Sequence, residues 1–517
     1  MNERGIVDLR RHPISDLFCA LALGAVVSSC GGADPISPSG TPASVALSSG
    51  DGQNGTVGTS LNEDFVVQVN DAAGTPVSNV VVTWAVTAGG GSIAPTSGLT
   101  NSSGLSQARL TLGPAEGTNT ATATVAGVGS ITFTATGTIG GGGGGGGGTP
   151  GNLVFRTIDA GSYHGCGITN TEVAYCWGLN LDGELGDGSI DSKLAPTAVA
   201  GGLRFRQVSG GKYHSCAVTL SGDGYCWGSN LVGQLGAISQ VLSSTPLLNQ
   251  KAITFASLSV GREHSCGLSL SGDAFCWGSN SGGQLGFFTE NYSVDTAGFV
   301  FTALSFTTIA SGGLHNCAIT PQGTTHCWGF NDQGQLGNGT STTLFPDTVS
   351  SKVTPVSGGF AFDTITAGYK HTCALTGGTA YCWGSNSYGQ LGDGTNTNSS
   401  VPTPVSGGLT FVTLSAGFYH TCGITTTGAA YCWGRNTPNS LQESVGGQLG
   451  DGTTTDRNTP TLVTGGLSFK SISAGEVTTC GVTTTGVAYC WGDNEYGQLG
   501  TNSTTSFQVP TKLSNQP

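Results

Sequence analysis

The sequence has few charged residues, and several familiar catalytic motifs do not occur in it. Asp, Glu, Lys and Arg together make up only 9% of the 517 residues, whereas 88 residues are glycine. This composition is typical of β-structure with many turns and argues against a largely helical protein. No nucleophile elbow, zinc-protease histidine pair or Walker loop occurs in a suitable context. We therefore expect neither an enzyme nor a bound cofactor.

Positive charge is scarcer than negative charge. The chain has 17 Lys and Arg against 30 Asp and Glu, which gives a formal net charge of −13. A chain this acidic is repelled by phosphate backbones and by anionic lipid surfaces. Nucleic acid is therefore not an expected partner, and we expect contact with a membrane only through a lipid anchor.

Long apolar runs are also lacking, apart from one stretch near the N-terminus. Phe18–Val27 follows three arginines and, at ten residues, is too short to span a bilayer, which is typical of a secretory signal peptide. The run ends in V-S-S-C, Val27–Cys30, which resembles the bacterial lipoprotein signal. The resemblance implies removal of residues 1–29, lipidation of Cys30 and, because Gly31 follows, the outer membrane of a Gram-negative-type bacterium. Ordinary cleavage nearby, with Cys30 left free, is the alternative.

The segment after the signal changes from a tether to short alternating strands. Residues 30–43 are rich in Pro, Gly and Ser and predict a flexible tether. Residues 44–138 predict an all-β sandwich with Trp84 in its core. The predicted strands are Ser44–Leu47, Phe65–Asn70, Val80–Val86, Leu105–Leu112, Thr120–Val125 and Ser130–Ala135.

Part of this segment is similar to a known kind of domain. The run N-D-A-A-G-T-P-V-S-N-V-V-V-T-W-A-V, Asn70–Val86, resembles the bacterial immunoglobulin-like domains of the invasin and intimin type. The resemblance implies a spacer, with independent ligand binding as the alternative. Residues 139–151 follow as a linker around the glycine run Gly140–Gly148. No Lys-Ser/Thr follows the run, so a phosphate-binding loop is excluded.

Residues 152–517 are dominated by one repeat. Ala416–Gly434, A-G-F-Y-H-T-C-G-I-T-T-T-G-A-A-Y-C-W-G, is one of seven copies with a period near 50 residues. Strands and turns at this period predict a seven-bladed β-propeller. The first unit begins without a Pro-x-x-Val strand, and the chain ends with one at Val509–Leu513. We therefore predict that the C-terminal strand completes the first blade and closes the ring.

Fourteen cysteines form one pair in each repeat. Six pairs have nine intervening residues, and Cys373 and Cys382 have eight, which is longer than the two to four of zinc knuckles. Cross-strand disulfides are the favoured interpretation and require an oxidising compartment; buried thiols are the alternative. The predicted pairs are Cys166 with Cys176, Cys216 with Cys226, Cys266 with Cys276, Cys317 with Cys327, Cys373 with Cys382, Cys422 with Cys432, and Cys480 with Cys490.

Histidines, tryptophans and Asp-Gly pairs recur at equivalent positions of several repeats. Rotation about the propeller axis holds such residues apart, so we expect the histidines to be structural hydrogen-bond formers and the tryptophans to pack in cores, and we expect no metal site. The Asp-Gly pairs are weak calcium candidates that turn chemistry explains better. The histidines are His164, His214, His264, His315, His371 and His420.

Two variable positions inside each Gly-x-x-His motif are the most informative. They fall where one strand turns into the next and should ring one face near the axis. Aromatic and charged side chains there favour an interaction surface, with packing between neighbouring blades as the alternative. The candidate ligand-binding residues are Tyr163, Lys212, Tyr213, Arg262, Glu263, Tyr369, Lys370, Phe418 and Tyr419.

The repeats resemble the regulator of chromosome condensation family through Gly-x-x-His, Trp-Gly-x-Asn and Gly-Gln-Leu-Gly. Thr478, which replaces His in unit seven, and the insertion Thr437–Val445 depart from the pattern. The resemblance implies a monomeric module that grips a protein or glycan with one propeller face. Nucleotide-exchange activity toward a GTPase is the alternative that the family suggests, but a disulfide-rich lipoprotein does not meet a cytosolic GTPase. A purely structural envelope scaffold is a further alternative.

Overall fold

The computed structural model describes residues 40–57, 59–61, 63–113, 117–138, 153–238, 241–249, 251, 253–287, 289, 291–300, 302–341, 351–438 and 445–516. The predicted signal peptide, Cys30, most of the tether and the glycine run lie outside these residues. Within them every regular element is a β-strand, and no helix is long and apolar enough to cross a membrane. The chain divides into two compact units.

The first unit contains two sheets that share one hydrophobic core. Its strands are β1 (Ser44–Ser49), β2 (Gln53–Thr56), β3 (Phe65–Asn70), β4 (Val81–Ala88), β5 (Ser92–Ala94), β6 (Ser97–Leu99), β7 (Leu105–Thr111), β8 (Gly117–Val125) and β9 (Gly129–Thr138). The sheet orders are β1-β3-β7-β5 and β2-β9-β8-β4-β6. Alternate residues of β3 are fully buried, and Phe65 stacks on Phe133 beside Trp84.

The six strands predicted for this unit are present, with their ends shifted by a few residues. Trp84 lies in the core as predicted, 3% exposed. Three short strands, β2, β5 and β6, were not predicted, because segments of three or four residues carry too little alternation to be recognised.

The second unit contains seven consecutive four-stranded sheets, which we call blades 1–7. The first strands are β10 (Phe155–Ala160), β14 (Phe205–Gly210), β18 (Phe255–Val260), β22 (Thr308–Ser311), β26 (Thr364–Ala367), β30 (Phe411–Ala416) and β34 (Phe469–Ala474). The second strands are β11 (His164–Thr169), β15 (His214–Thr219), β19 (His264–Ser269), β23 (His315–Ile319), β27 (His371–Thr376), β31 (His420–Thr425) and β35 (Thr478–Thr483).

The remaining two strands complete each blade. The third strands are β12 (Ala174–Gly178), β16 (Gly224–Ser229), β20 (Ala274–Ser279), β24 (Thr325–Gly329), β28 (Thr379–Gly384), β32 (Ala430–Gly434) and β36 (Ala488–Gly492). The fourth strands are β13 (Lys193–Ala198), β17 (Leu242–Leu248), β21 (Ser293–Phe299), β25 (Thr354–Pro355), β29 (Ser399–Pro404), β33 (Arg457–Leu462) and β37 (Phe507–Lys512). Neighbouring strands within every blade are antiparallel, for example β11 with β12.

The last residue of each Cys-Trp-Gly triplet must be glycine. Gly434 has a φ of 106°, a backbone conformation that side chains disfavour. A Cβ on Gly434 would also lie 2.6 Å from the backbone oxygen of Tyr419. Close approach between the second and third strands therefore explains why the triplet ends in the same way in every repeat.

The seven predicted disulfides are confirmed. Each links directly opposed residues of the second and third strands of one blade, with Cα atoms 4.0–4.1 Å apart. All fourteen cysteines are fully buried. In blade order the bonds join Cys166 to Cys176, Cys216 to Cys226, Cys266 to Cys276, Cys317 to Cys327, Cys373 to Cys382, Cys422 to Cys432, and Cys480 to Cys490.

The shorter spacing of the cysteine pair in blade 5 has a local cause. Thr376 pairs directly with Thr379, so the hairpin turns through only Gly377 and Gly378. Cys373 and Cys382 are nevertheless directly opposed, as in the other blades. The one-residue difference that the sequence shows is therefore absorbed by the turn and does not change the pairing of the strands.

The hydrophobic cores lie between blades rather than within them. One cluster joins Ile168 and Leu185 of blade 1 to Phe205, Val208 and Trp227 of blade 2. The seven repeat tryptophans are all fully buried in clusters of this kind, which confirms their predicted packing role. Since each blade needs its neighbour to cover its core, the ring is cooperative.

The prediction that the C-terminal strand completes the first blade is wrong. β37 pairs with β36 of blade 7, and blade 1 takes its four strands from one continuous segment. The Pro-x-x-Val strand is thus the last strand of its own repeat, not the first of the next. Blades 7 and 1 meet instead through a shared cluster that includes Leu153, Trp177 and Leu513.

Candidate functional site

The repeat histidines join neighbouring blades by hydrogen bonds. In blade 1, His164 Nε2 lies 2.8 Å from Ser215 Oγ of blade 2, and this hydroxyl donates to the backbone oxygen of Glu184 at 3.0 Å. Trp227 Nε1 donates to the same carbonyl oxygen at 2.8 Å. Because the Ser215 proton is committed to the carbonyl, the hydroxyl must accept from His164 Nε2–H. We call this arrangement the histidine relay.

The relay recurs at six junctions, with a serine, threonine or asparagine as the partner of the histidine. The other five histidine–partner pairs are His214–Ser265, His264–Asn316, His315–Thr372, His371–Thr421 and His420–Thr479, at 2.8–3.0 Å. Burial lowers the pKa of each histidine to about 3 or 4, so the rings are neutral. Rings buried in this way contact no solvent, which supports the structural role expected for them.

The junction between blades 7 and 1 lacks the relay. Thr478 stands in place of the histidine and Gly165 in place of its hydroxyl partner. Trp177 Nε1 still donates to the backbone oxygen of Gln498 at 2.9 Å. Asp159 Oδ1 accepts from Ser473 Oγ at 2.8 Å, and Lys470 Nζ donates to the backbone oxygen of Phe155 at 3.2 Å.

The Asp-Gly turns wrap an asparagine side chain. Asn180 Nδ2 donates to the backbone oxygens of Ser189 and Asp191 at 3.1 and 3.0 Å and lies 3.4 Å from Asp187 Oδ1. Asp187 Oδ1 also accepts from Ser189 N at 2.9 Å. The oxygens that a calcium ion would use thus already accept N–H groups, which supports the turn interpretation.

An axial cavity of about 260 Å³ opens where the Gly-x-x-His loops converge. The residue after each loop glycine lines this cavity, and we call the seven together the mouth ring. Its members are Ser162, Lys212, Arg262, Gly313, Tyr369, Phe418 and Glu476. The predicted placement of this variable position near the axis is therefore correct. The following variable residues, including Tyr163 and Tyr419, are not among the lining residues.

Blades 5 and 6 concentrate aromatic side chains at the mouth. Tyr369 stacks on Phe418 with ring centroids 4.4 Å apart and planes at 2°, and Tyr419 packs edge-on against both. Arg262 Nη1 donates to Tyr369 Oη at 3.1 Å, and Arg262 Nε lies 3.7 Å from Glu263 Oε1. Tyr369, Phe418 and Tyr419 are half-buried. These rings therefore pack between blades and are also partly exposed to solvent, so both predicted roles apply to them.

A second aromatic group lies on blades 1, 2 and 7. Tyr163 is 6.3 Å from Tyr213 and 5.7 Å from Tyr496 between ring centroids, and Lys212 Nζ lies 4.6 Å from the Tyr213 centroid. Burial and the nearby Glu476 carboxylate raise the pKa of Tyr163. Its phenol therefore stays protonated and able to donate a hydrogen bond.

Lys370 forms an ion pair next to the aromatic rings of Phe330 and Tyr369, whose centroids lie 5.3 and 6.0 Å from its Nζ. Its Nζ lies 2.6 Å from Asp332 Oδ2. Burial alone would raise the pKa of Asp332, but the hydrogen bonds from Lys370, Gln333 and Gln335 outweigh it and lower the pKa. Of the predicted residues, Lys370, Glu263 and Arg262 therefore have charged partners.

Three further residues of this surface were not predicted. Tyr388, Arg435 and Tyr496 come from the loops after the third strands, and the Arg435 guanidinium lies 4.9 Å from the Tyr388 ring centroid. Tyr388 in turn packs against Tyr419 with centroids 5.3 Å apart. These positions also vary between repeats, so the criterion used for Gly-x-x-His would have found them.

Sequence comparisons match the repeats to one family. Two profiles described as Regulator of chromosome condensation (RCC1) repeat match the second unit. One matches residues 173–218, 322–375, 377–424 and 485–517. The other matches residues 155–184, 205–234, 255–284, 306–335, 362–390 and 469–498.

Curated relatives share only part of their length with this chain. The human E3 ubiquitin-protein ligase HERC2 is 28% identical over 208 residues, which is 39% of this chain and 4% of HERC2. The Arabidopsis thaliana ultraviolet-B receptor UVR8 is 29% identical over 211 residues, 40% of this chain and 45% of UVR8. The chain thus spans less than half the length of either protein.

Two solved structures have a fold similar to that of the second unit, although their sequences are only 21–22% identical to this chain. Yeast RCC1 (Prp20), solved with Kap60 bound, is 22% identical with a TM-score of 0.57 and covers 70% of this chain and 85% of its own. Human WBSCR16 is 21% identical with a TM-score of 0.54 and covers 63% of this chain and 85% of its own. At these identities the likeness establishes the fold of the second unit.

Proposed function

Because the chain belongs to the regulator of chromosome condensation repeat family through the repeats matched between residues 155 and 517, we propose that the protein is a binding module whose mouth ring and its aromatic neighbours grip another protein. The observation that carries this is the concentration of half-buried Tyr, Phe and Arg side chains around the axial cavity. Such residues dominate the binding energy of protein interfaces, since they bury a large area at a small entropic cost. The yeast relative is itself described as bound to Kap60.

Catalysis is not part of this proposal. The six histidines are engaged in blade-to-blade hydrogen bonds, and their rings are buried and neutral. The charged members of the mouth ring are Lys212, Arg262 and Glu476, and Tyr369 and Phe418 lie in the same ring, a combination typical of protein interfaces. Binding, rather than turnover, is the function that this chemistry supports.

The location of the module is proposed from the N-terminal sequence and the disulfides. We propose a lipoprotein anchored through Cys30 in the cell envelope, with residues 44–138 as an immunoglobulin-like stalk. The seven disulfides support an oxidising compartment. Replacing Cys30 with Ser should release the protein from the membrane fraction and abolish labelling with radioactive palmitate; a membrane-bound Cys30→Ser variant would contradict the anchor.

Site-specific crosslinking in intact cells tests the binding face. A photoreactive amino acid replaces Tyr419 at the mouth or, as the control, Leu220, which is 51% exposed in the turn between β15 and β16. This turn lies at the opposite end of the strands from the Gly-x-x-His loops. We expect discrete protein adducts from position 419 and none from position 220.

Two outcomes would contradict the proposal. Equal adducts from both positions would show collision rather than recognition, and adducts to carbohydrate alone would identify a glycan-binding module. As a second readout, Lys212→Ala with Tyr213→Ala should abolish the adduct while leaving the melting temperature unchanged. An adduct that survives this double substitution would place the partner elsewhere.

A further inference from the structure

The loop between the third and fourth strands is polar in five blades and apolar in two. After the Gly-x-Leu-Gly segment, blade 1 has Asp187-Gly188 and blade 5 has Asp393-Gly394. Blade 2 has Ala237-Ile238 at the same place, and blade 3 has Phe287. All seven blades have the same four-stranded sheet. The apolar residues therefore change the surface of blades 2 and 3 and not their fold.

The apolar loop of blade 2 also takes a different path. In blade 5, Asn386 Nδ2 donates to Asp393 Oδ1 and to two loop backbone oxygens, all at 3.1 Å, so the loop wraps the asparagine. In blade 2, Asn230 Nδ2 donates to the backbone oxygen of Ala237 at 2.9 Å, and Asn230 N donates to the backbone oxygen of Val241 at 2.7 Å. The backbone oxygen of Ala237 accepts where blade 5 uses the carboxylate of Asp393, and Ile238 and Val241 of this loop are exposed.

Large apolar side chains are exposed around this loop. Leu231 and Tyr292 are each 73% exposed, Val241 is 65% exposed and Ile238 is 52% exposed. Single exposed leucines are common on proteins, but a cluster of this kind marks an interaction site. The cluster borders a groove of about 620 Å³, the rim groove, lined in part by Leu231, Val232, Ala237, Val241, Val294 and Asp295.

Charge and shape together indicate what the rim groove accommodates. Among its lining residues within the described part of the chain, Asp295 alone is charged, and it is exposed. An apolar side chain in the groove can therefore be accompanied by a cation at Asp295. Sites for small molecules enclose most of their ligand, whereas this groove has walls that remain largely exposed. A segment of polypeptide fits such an open shape better.

We propose that the rim groove binds a segment of a partner protein that presents a large apolar side chain next to a lysine or arginine. The groove shares no lining residue with the axial cavity, so it constitutes a second recognition surface. The proposal does not depend on the mouth ring being a binding site. The proposal rests on the difference between the apolar loops of blades 2 and 3 and the polar loops of the other five blades.

Defined peptides provide the test. Two matched sets of short peptides carry a central Leu or Phe, followed either by Lys and Arg or by Glu, and fluorescence polarisation measures their binding to the full chain. We expect the basic set to bind at least about tenfold more tightly. Leu231→Asp should remove this binding, and Asp295→Asn should remove the preference for the basic set.

Leu181→Asp is the matched control, because Leu181 follows Asn180 as Leu231 follows Asn230 and is 67% exposed outside the groove. Its peptide binding should equal that of the natural chain. Equal binding of both sets, no binding at all, or binding that survives Leu231→Asp would overturn the proposal. So would a dimer in sedimentation experiments that Leu231→Asp disperses, because the occupant would then be a second copy of the chain.

Discussion

At six junctions between consecutive blades a histidine donates a hydrogen bond to the next blade, whereas at the junction that closes the ring neither partner of this bond is present. Blades 7 and 1 have Thr478 and Gly165 where blades 5 and 6 have His371 and Thr421. The bond from the tryptophan to the Gln or Glu backbone oxygen occurs at all seven junctions, from Trp177 onward. The tryptophan contact is therefore the constant element, and the histidine relay is an addition to it.

The closing junction has contacts of a different kind. Leu153 and Leu513, from the two ends of the propeller segment, share one cluster, and Leu153 N donates to the backbone oxygen of Asn515 at 2.8 Å. The carboxylate of Asp159 bridges Ser473 Oγ of blade 7 and Gly210 N of blade 2, at 2.8 and 2.7 Å. Contacts between the chain ends thus take the place of the histidine relay at this junction.

Deleting residues 507–517 should have the largest effect on this junction. The deletion removes β37 and the fully covered Leu513, and it exposes β36 of blade 7. We expect a loss of more than about 5 kcal/mol in the free energy of unfolding, measured by chemical denaturation. Leu513→Ala alone should cost about 2–5 kcal/mol. An unchanged unfolding midpoint after the deletion would show that blade 7 does not need its fourth strand.

Acidification should weaken the six regular junctions selectively. The histidine pKa values of about 3 or 4 in the folded protein lie below the value of 6.5 expected on unfolding. Below pH 6.5 the unfolded chain binds more protons, so the free energy of unfolding falls as the pH drops, by up to about 1.4 kcal/mol per pH unit for each histidine. Denaturation curves between pH 7 and 4 measure this slope.

Glu184 acts in the opposite direction over part of this range. Burial raises its pKa to about 7, so its contribution is fully present below pH 4.5 and is lost as the pH rises through 7. Burial also raises the pKa values of Asp159 and Asp493, but three carboxyl groups do not offset six histidines, and the net slope should favour neutral pH. A protein that becomes more stable between pH 6 and 4 would contradict the assignment of neutral, buried rings. His371→Gln should reduce the slope by the share of one histidine.

Removing one relay histidine should lower the free energy of unfolding more than removing Thr478, which occupies the histidine position at the closing junction. His371→Ala leaves a cavity and removes the donor to Thr421 Oγ1, and we expect a loss of about 2–4 kcal/mol in the free energy of unfolding. Thr478→Ala, at the equivalent position of the closing junction, should cost only about 1 kcal/mol. Chemical denaturation measures the free energy of unfolding of both variants. Equal losses would show that the histidine relay does not make the regular junctions more stable than the closing junction.

Introducing the relay into the closing junction should restore only part of a loss in stability. A Cβ on Gly165 would lie 2.9 Å from the Trp177 ring, so Gly165→Ser should cost about 1–3 kcal/mol. Adding Thr478→His supplies the donor for the new hydroxyl, and part of the loss should return. A double-mutant cycle measures this coupling, and strict additivity would show that the junction cannot accept the relay.

The sequence predicted most of the fold because the same motif occurs seven times, so each copy supports the interpretation of the others. Seven copies of Cys-Trp-Gly and of the paired cysteines located every hairpin of the propeller, and the disulfides follow from this register. The assignment of the Pro-x-x-Val strand failed for a related reason. In a periodic sequence any strand can be chosen as the start of the unit, and periodicity alone does not say with which neighbour Val509–Leu513 pairs.

The candidate surface was predicted only in part. Lys212, Arg262, Tyr369 and Phe418 line the axial cavity as expected, because the Gly-x-x-His motif fixes where they emerge. Their grouping into a stack on blades 5 and 6 depends on distances between repeats that are about 50 residues apart in sequence. Arg435 and Tyr388 join the group from a different loop, which no single motif connects to the first.

The sequence by itself determined the repeat, the number of blades, the hairpins and the cysteine pairs, since these depend on contacts between residues close along the chain. The tertiary structure alone decided how the ring closes, which aromatic side chains meet at the axis and where blades 2 and 3 expose apolar residues. Those features depend on packing between blades. Side chains there come together through the rotation that relates one blade to the next, and the local sequence does not encode that rotation.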